Sequence, residues 1–180
     1  MKLIRWTLPL ISMFLSVQAF AQSDAQKSFD KLKTLSGVWE GKVTTDMKIP
    51  DPLEKVPMHI VLRTTSRGNA LMHEMSSNGS PDDPVTMFYL DEDRVLLTHY
   101  CDAGNRPRMA GKLSPDGKTL EFTLLDVAGS NLREHMHHVR FTFIDADHHT
   151  EDWTFMMGDM AVHAHVDLHR IGDGSSAAKN

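Results

Sequence analysis

The chain has 180 residues, of which 41% are hydrophobic and 24% charged, with a formal net charge of −5 and a single cysteine. That length suits one ordinary domain able to bury a real core, and the scattered acidic excess leaves no basic face to track phosphates, which excludes nucleic acid as a partner. With Cys101 alone no internal disulfide forms, so packing must supply the stability.

At the N-terminus Lys2 and Arg5 precede an apolar run from Leu8 to Val17, and Ala19-Phe20-Ala21 supplies small residues where a signal peptidase reads. Residues 1–21 are expected to be a secretory leader, and the product periplasmic or secreted. The run is too short to span a bilayer, and no later stretch reaches the roughly eighteen apolar residues a membrane helix needs. Gln22 stands where a bacterial lipoprotein would carry its cysteine, so a free soluble product with no membrane anchor is expected.

Asp24 is placed to cap a short helix from Ala25 to about Leu35, with Phe29, Leu32 and Leu35 on one side and Gly37 available to end it. It reads as a lid or plug. Beyond it the period changes from 3.6 to 2, and runs rich in β-branched and aromatic residues alternate with turn residues. Strands are predicted at about 38–46, 58–66, 70–77, 85–90, 95–101, 106–113, 119–127, 137–144, 148–157 and 161–170. The punctuation is of hairpin type: Arg67-Gly68-Asn69, Asp91-Glu92-Asp93, Ser114-Pro115-Asp116-Gly117, Asp145-Ala146-Asp147 and Gly158-Asp159. Short links make neighbours antiparallel, and closure into an up-and-down barrel removes the two long edges that an open sheet would expose. The expectation is therefore an all-β fold, an antiparallel up-and-down β-barrel of about ten strands with a short N-terminal helix over 22–171. A sandwich is the alternative, and 172–180 reads as a disordered tail.

Gly37-Val38-Trp39-Glu40-Gly41, entering the first strand after a short helix, resembles the G-x-W opening of lipocalins and other calycins and the G-x-W-x-G opening of nitrobindin-like barrels. In lipocalins an Arg of the last strand lies across that Trp, and Arg170 stands where it would; guanidinium over indole gains cation–π attraction. Trp39 and Arg170 are thus the structural pair that the resemblance implies. Leu97-Thr98-His99-Tyr100-Cys101, Gly104-Asn105-Arg106-Pro107-Arg108-Met109, His135-Met136-His137 and Asp145-Ala146-Asp147-His148 are similar to a group of secreted lipocalin-like bacterial proteins. That likeness implies fold and compartment and leaves the chemistry open. Nitrobindin-like proteins bind haem through a His on the last strand before a Leu-His-Arg ending, and His163 with Leu168-His169-Arg170 can be laid on that pattern, although Val43 stands where the longer G-x-W-x-G-x-G form of the opening has its last glycine.

Strand parity opposes an inward His163. Val162, Ala164, Val166, Leu168 and Arg170 share one face of the last strand, whereas His163, His165, Asp167 and His169 share the other. An inward Arg170 turns the histidine row to water, as a solvated stripe or a surface zinc site, and only a β-bulge would reconcile it with an inward His163. Mid-chain, His99 and Cys101 share a face with Leu97, and Met109 lies on the next strand, so an inward Leu97 carries a soft-metal set into the barrel or simply fills it. Arg106 and Arg108 alternate with Met109 and reach a rim or solvent. His135 and His137 sit where a connection feeds a strand; with Glu134, Asp145 or Asp147 one imidazole could form an acid/base couple, though no nucleophile elbow or metalloprotease motif accompanies it.

These readings converge on a barrel holding a small, largely apolar molecule, with His99, Cys101, Arg108, Met109, His135 and His137 at the polar end of the pocket. The rivals are a copper or haem carrier using His/Cys/Met ligands, with His163 as the metal ligand, and a small hydrolase or isomerase with a rim histidine. A barrel filled by its own side chains is the fourth possibility. No cofactor is specified.

Overall fold

Residues 22–47, 57–77 and 84–174 are described by a computed structural model. The leader expected at 1–21, and the tail from 175 onward, lie outside the described residues. Ser23, rather than Asp24, caps the helix: its backbone is extended and its Oγ accepts from the Gln26 amide at 3.1 Å. Asp24 is the first residue of α1 (Asp24–Lys33), where a carboxylate meets the positive end of the helix dipole and Lys27 at 2.9 Å. The helix stops at Lys33, two residues short of the expected end, where the amides of Thr34, Leu35 and Ser36 close its last turn with i→i+3 bonds to the carbonyls of Lys31, Leu32 and Lys33, and the carbonyls that follow turn to other partners. The Leu35 carbonyl accepts from the Trp39 indole at 2.8 Å, and those of Thr34 and Ser36 accept from Arg170.

Ten strands follow among the described residues: β1 (Gly37–Thr45), β2 (Met58–Thr65), β3 (Ala70–Ser77), β4 (Val85–Asp91), β5 (Arg94–Tyr100), β6 (Asn105–Leu113), β7 (Thr119–Gly129), β8 (Glu134–Phe143), β9 (His148–Met157) and β10 (Met160–Gly172). Each pairs antiparallel with its neighbours in sequence, and β1 pairs with β10, so the sheet is a closed barrel and not a sandwich. Closure leaves no edge. The turns use the residues the sequence marks: Gly117 and Gly158 adopt φ of 70° and 64°, and Glu92 takes 55°. β8 starts three residues before the expected His137, because a register shift between Met136 and His138 bulges the strand at His137 and pairing resumes beyond it. β10 runs on to Gly172, which pairs with Val38.

One end of the barrel is packed shut. Phe29 and Leu32 of α1, with Leu35 just beyond it, join Trp39 in one buried cluster, and the helix packs against β4, β5 and β6. The Arg170 guanidinium lies 4.2 Å from the Trp39 ring centroid and also donates to the Ala146 carbonyl, bolting the helix exit, the β8–β9 turn and β10 together. The glycines flanking Trp39 are steric necessities: a Cβ on Gly37 would collide with that guanidinium, and one on Gly41 with the Asp167 carbonyl of β10. Above this plug the inward faces supply a continuous core that includes Ile60, Leu62, Leu71, Phe88, Phe122, Phe141 and Leu168.

Candidate ligand site in the barrel interior

Inward-facing polar residues are costly unless they find partners, and this barrel carries several. On β9 the parity that turns Trp153 inward also carries in His149 and Glu151; on β3 the parity of Leu71 carries in His73. Glu151 is fully buried and accepts from His73 Nε2 at 3.1 Å, from His149 Nε2 at 3.2 Å and from the Trp153 indole at 2.8 Å. Burial pushes its carboxyl upward, but the two imidazoles beside it outweigh that and hold it well below the usual carboxylate range. Glu151 is thus an anion whose acceptor capacity is spent on the protein itself. The Nδ1 atoms of His73 and His149 are buried without a hydrogen-bond partner.

Next to this triad, His99 of β5 is 1% exposed and its Nδ1 meets the Thr86 hydroxyl at 2.8 Å. Burial, helped by the nearby His73, pushes its imidazole down to about 4, so the ring is neutral at physiological pH. His73 and His99 flank Trp153, with ring centroids 5.8 and 5.6 Å from it. Together these groups form a polar layer across the middle of the barrel.

Toward the end opposite α1 the lining changes. Val43, Met58, Met75, Leu124 and Met136 face inward by parity and pack on the core, yet each stays partly exposed. Phe155 and Val162, paired across β9 and β10, are partly exposed in the same way. The far end of the interior is therefore apolar and methionine-rich, with the histidine layer between it and the plugged end.

The residues singled out in the sequence fall into three places. His99 is in the histidine layer, and Met109 is fully buried directly opposite Leu97, inside the core. Cys101 lies just beyond β5, half-buried, its thiol on the Asp102 carboxylate at 3.4 Å and pushed up to about 11, chiefly by burial. Successive inward positions on a strand are about 7 Å apart, so His99, Cys101 and Met109 are strung along the wall and do not surround a common point. Arg108 is on the outer face, exposed and paired two-pronged with Asp126, because a β7 bulge between Asp126 and Leu124 aligns the two. It does not reach the pocket. His135 and His137 form a rim pair at 3.3 Å, with His135 Nδ1 also on the Leu132 carbonyl at 3.1 Å. His163 is exposed on the outer face beside Thr154, and the β9–β10 register runs unbroken from Met160 to His169, so no bulge turns it inward. A haem held inside the barrel by His163 does not fit this arrangement. Asp145 and Asp147 act as turn residues and form no acid/base couple with an imidazole: Asp145 accepts from the Asp147 amide and Asp147 pairs with Arg170.

His73, Thr86, His149, Glu151 and Trp153 were not among the expected site residues. The alternation His149, Glu151, Trp153, Phe155 carried the signal, since an inward Trp brings its polar neighbours with it.

No family model matches the sequence, and no curated protein matches it. Solved structures do match in fold. Rv2717c from M. tuberculosis superposes with a TM-score of 0.55 at 16% identity, over 79% of this chain and 96% of that one. An S-type phycobiliprotein lyase from Guillardia theta gives 0.51 at 12% identity, over 83% and 98%. A DUF3598-family protein of unknown function from Nostoc punctiforme gives 0.53 at 16% identity over 78% of this chain, which spans about half (49%) of that protein. What the chain shares with them is a fold, the closed antiparallel β-barrel. At such identities the likeness speaks for the fold alone.

Proposed function

We propose that the protein is an exported small-molecule carrier, a barrel that holds a largely apolar ligand in the cup opposite α1, with the ligand's polar group against the histidine layer. The observation that carries this reading is the contrast between the two ends. The helix end is closed by buried Phe29, Leu32, Leu35 and Trp39, whereas the inward methionines Met58, Met75 and Met136 at the other end remain partly exposed. A barrel meant only to be filled has no reason to leave its inner wall accessible.

The histidine layer suits one polar group on an otherwise apolar molecule. His99 is neutral with Nδ1 on Thr86, and the unpartnered His73 Nδ1 lies buried nearby. Glu151 fixes His73 by holding Nε2, the same logic by which an outer partner orients a functional imidazole. Export follows from the leader-like segment at 1–21, and the intact mass of the product decides it: a chain starting at Gln22 supports export and one retaining Met1 contradicts it. Native mass spectrometry of the protein released gently from its own cells tests the carrier reading. A discrete small-molecule adduct is expected, and a bare polypeptide mass under conditions that preserve a known lipocalin complex would overturn it.

A further inference from the structure

The outer face of β9 and β10 carries a second chemistry that the carrier reading does not use. In the barrel register His169 of β10 lies directly across from His148 of β9, and Asp167 sits two residues along β10 on the same face. The imidazoles are stacked, 4.2 Å between centroids and 21° between planes, and both direct Nε2 to the same carboxylate oxygen. Asp167 Oδ1 is 2.6 Å from His148 Nε2 and 3.9 Å from His169 Nε2, and one donor atom from each residue lies within 4.8 Å of the other two. The shorter contact is a hydrogen bond. The longer one is outside hydrogen-bond range, so His169 converges on Asp167 without bonding to it.

We propose that His148, Asp167 and His169 form a surface site for one divalent transition-metal ion of the zinc or copper type. Two imidazoles and a carboxylate are the borderline donors that such ions take, with bonds of about 2.0–2.2 Å, which puts neighbouring ligand atoms roughly 3.3 Å apart. The three side chains are partly exposed, at 26%, 51% and 64%, so solvent and a metal ion reach them. Glu40 of β1 pairs with His169 in the register, and its carboxylate lies 3.6 Å from His59 Nε2. The neighbouring His165–Asp152 pair, 2.6 Å apart on the same face, is joined by no third ligand among the described residues and is the internal comparison.

The test is calorimetric titration of the chelator-stripped protein with zinc chloride at pH 7.5. One equivalent should bind in the micromolar range or tighter, and His169→Ala and Asp167→Asn should each weaken it at least tenfold while His165→Ala leaves it unchanged. Between pH 7.5 and 5.5 the affinity should fall more than tenfold, because the imidazoles must be deprotonated to bind. All three substitutions are at exposed positions, and far-ultraviolet circular dichroism confirms that each variant is folded. Absence of zinc binding, or equal binding by wild type and both site variants, overturns the site. Because these side chains point away from the interior, failure here would leave the carrier reading untouched.

Discussion

Acidification should unfold this protein through His99, and the size of the effect follows from its burial. The ring is 1% exposed, held by Thr86, and pushed from an ordinary value of 6.5 down to about 4. Between those two values the unfolded chain binds a proton that the folded one refuses, so stability rises with pH across the window and is lost on going down it. From pH 7.5 to 4.5 the single site withdraws about 2.5 kcal/mol, a large share of the stability of a small domain. His99→Gln keeps a polar partner for Thr86 and removes the titration. Urea unfolding followed by Trp fluorescence at both pH values should show the wild type losing about 2 kcal/mol more than the variant. Burial lowers His135 and His138 too, and their contribution is common to both proteins. Equal losses in wild type and His99→Gln would refute the buried, neutral histidine and with it the polar layer of the interior.

Arg170→Ala removes a cation–π contact and leaves the Thr34, Ser36 and Ala146 carbonyls without their shared donor, and should cost about 2–4 kcal/mol in the same unfolding assay. Gly41→Ala forces a methyl against the Asp167 carbonyl and should destabilise by more than about 1 kcal/mol, whereas Ala at the open turn position Gly68 meets no atom and suffers only its backbone strain. Cys101, with its thiol pushed up to about 11, should react with iodoacetamide at pH 7.5 many-fold more slowly than a free thiol and accelerate toward pH 10. Labelling as fast as in the urea-unfolded chain would contradict its burial beside Asp102.

Much of this architecture is legible in the sequence because the barrel obeys period 2 almost everywhere. Strand limits agree to within a residue or two except at β8, where the His137 bulge breaks the period on which the boundary was based. Parity also sorts the last strand correctly: Arg170 reaches Trp39 from inside and the row of His163, His165 and His169 faces out. What the sequence concealed is the partner of each buried polar group. His73 and Glu151 are 78 residues apart and meet only because β3 and β9 face each other across the closed barrel. Cys101 and Met109 share a wall with His99, but parity assigns a face without fixing depth along the axis, which is why an expected cluster resolves into a line. Arg108 was expected at the polar end of the pocket although its alternation with Met109 turns it outward, and its Asp126 partner depended on a bulge that no local pattern announces.

The carrier reading turns on whether the cup opposite α1 accepts an apolar molecule. Titration with 1-anilinonaphthalene-8-sulfonate, read as energy transfer from Trp153 in the polar layer, addresses that directly. The account predicts saturable one-to-one binding that Met136→Arg, which sets a charge into the cup wall, weakens at least tenfold, while His165→Ala on the outer face has no effect. Absence of saturable binding to the folded wild type, or binding that Met136→Arg leaves unchanged, would contradict it.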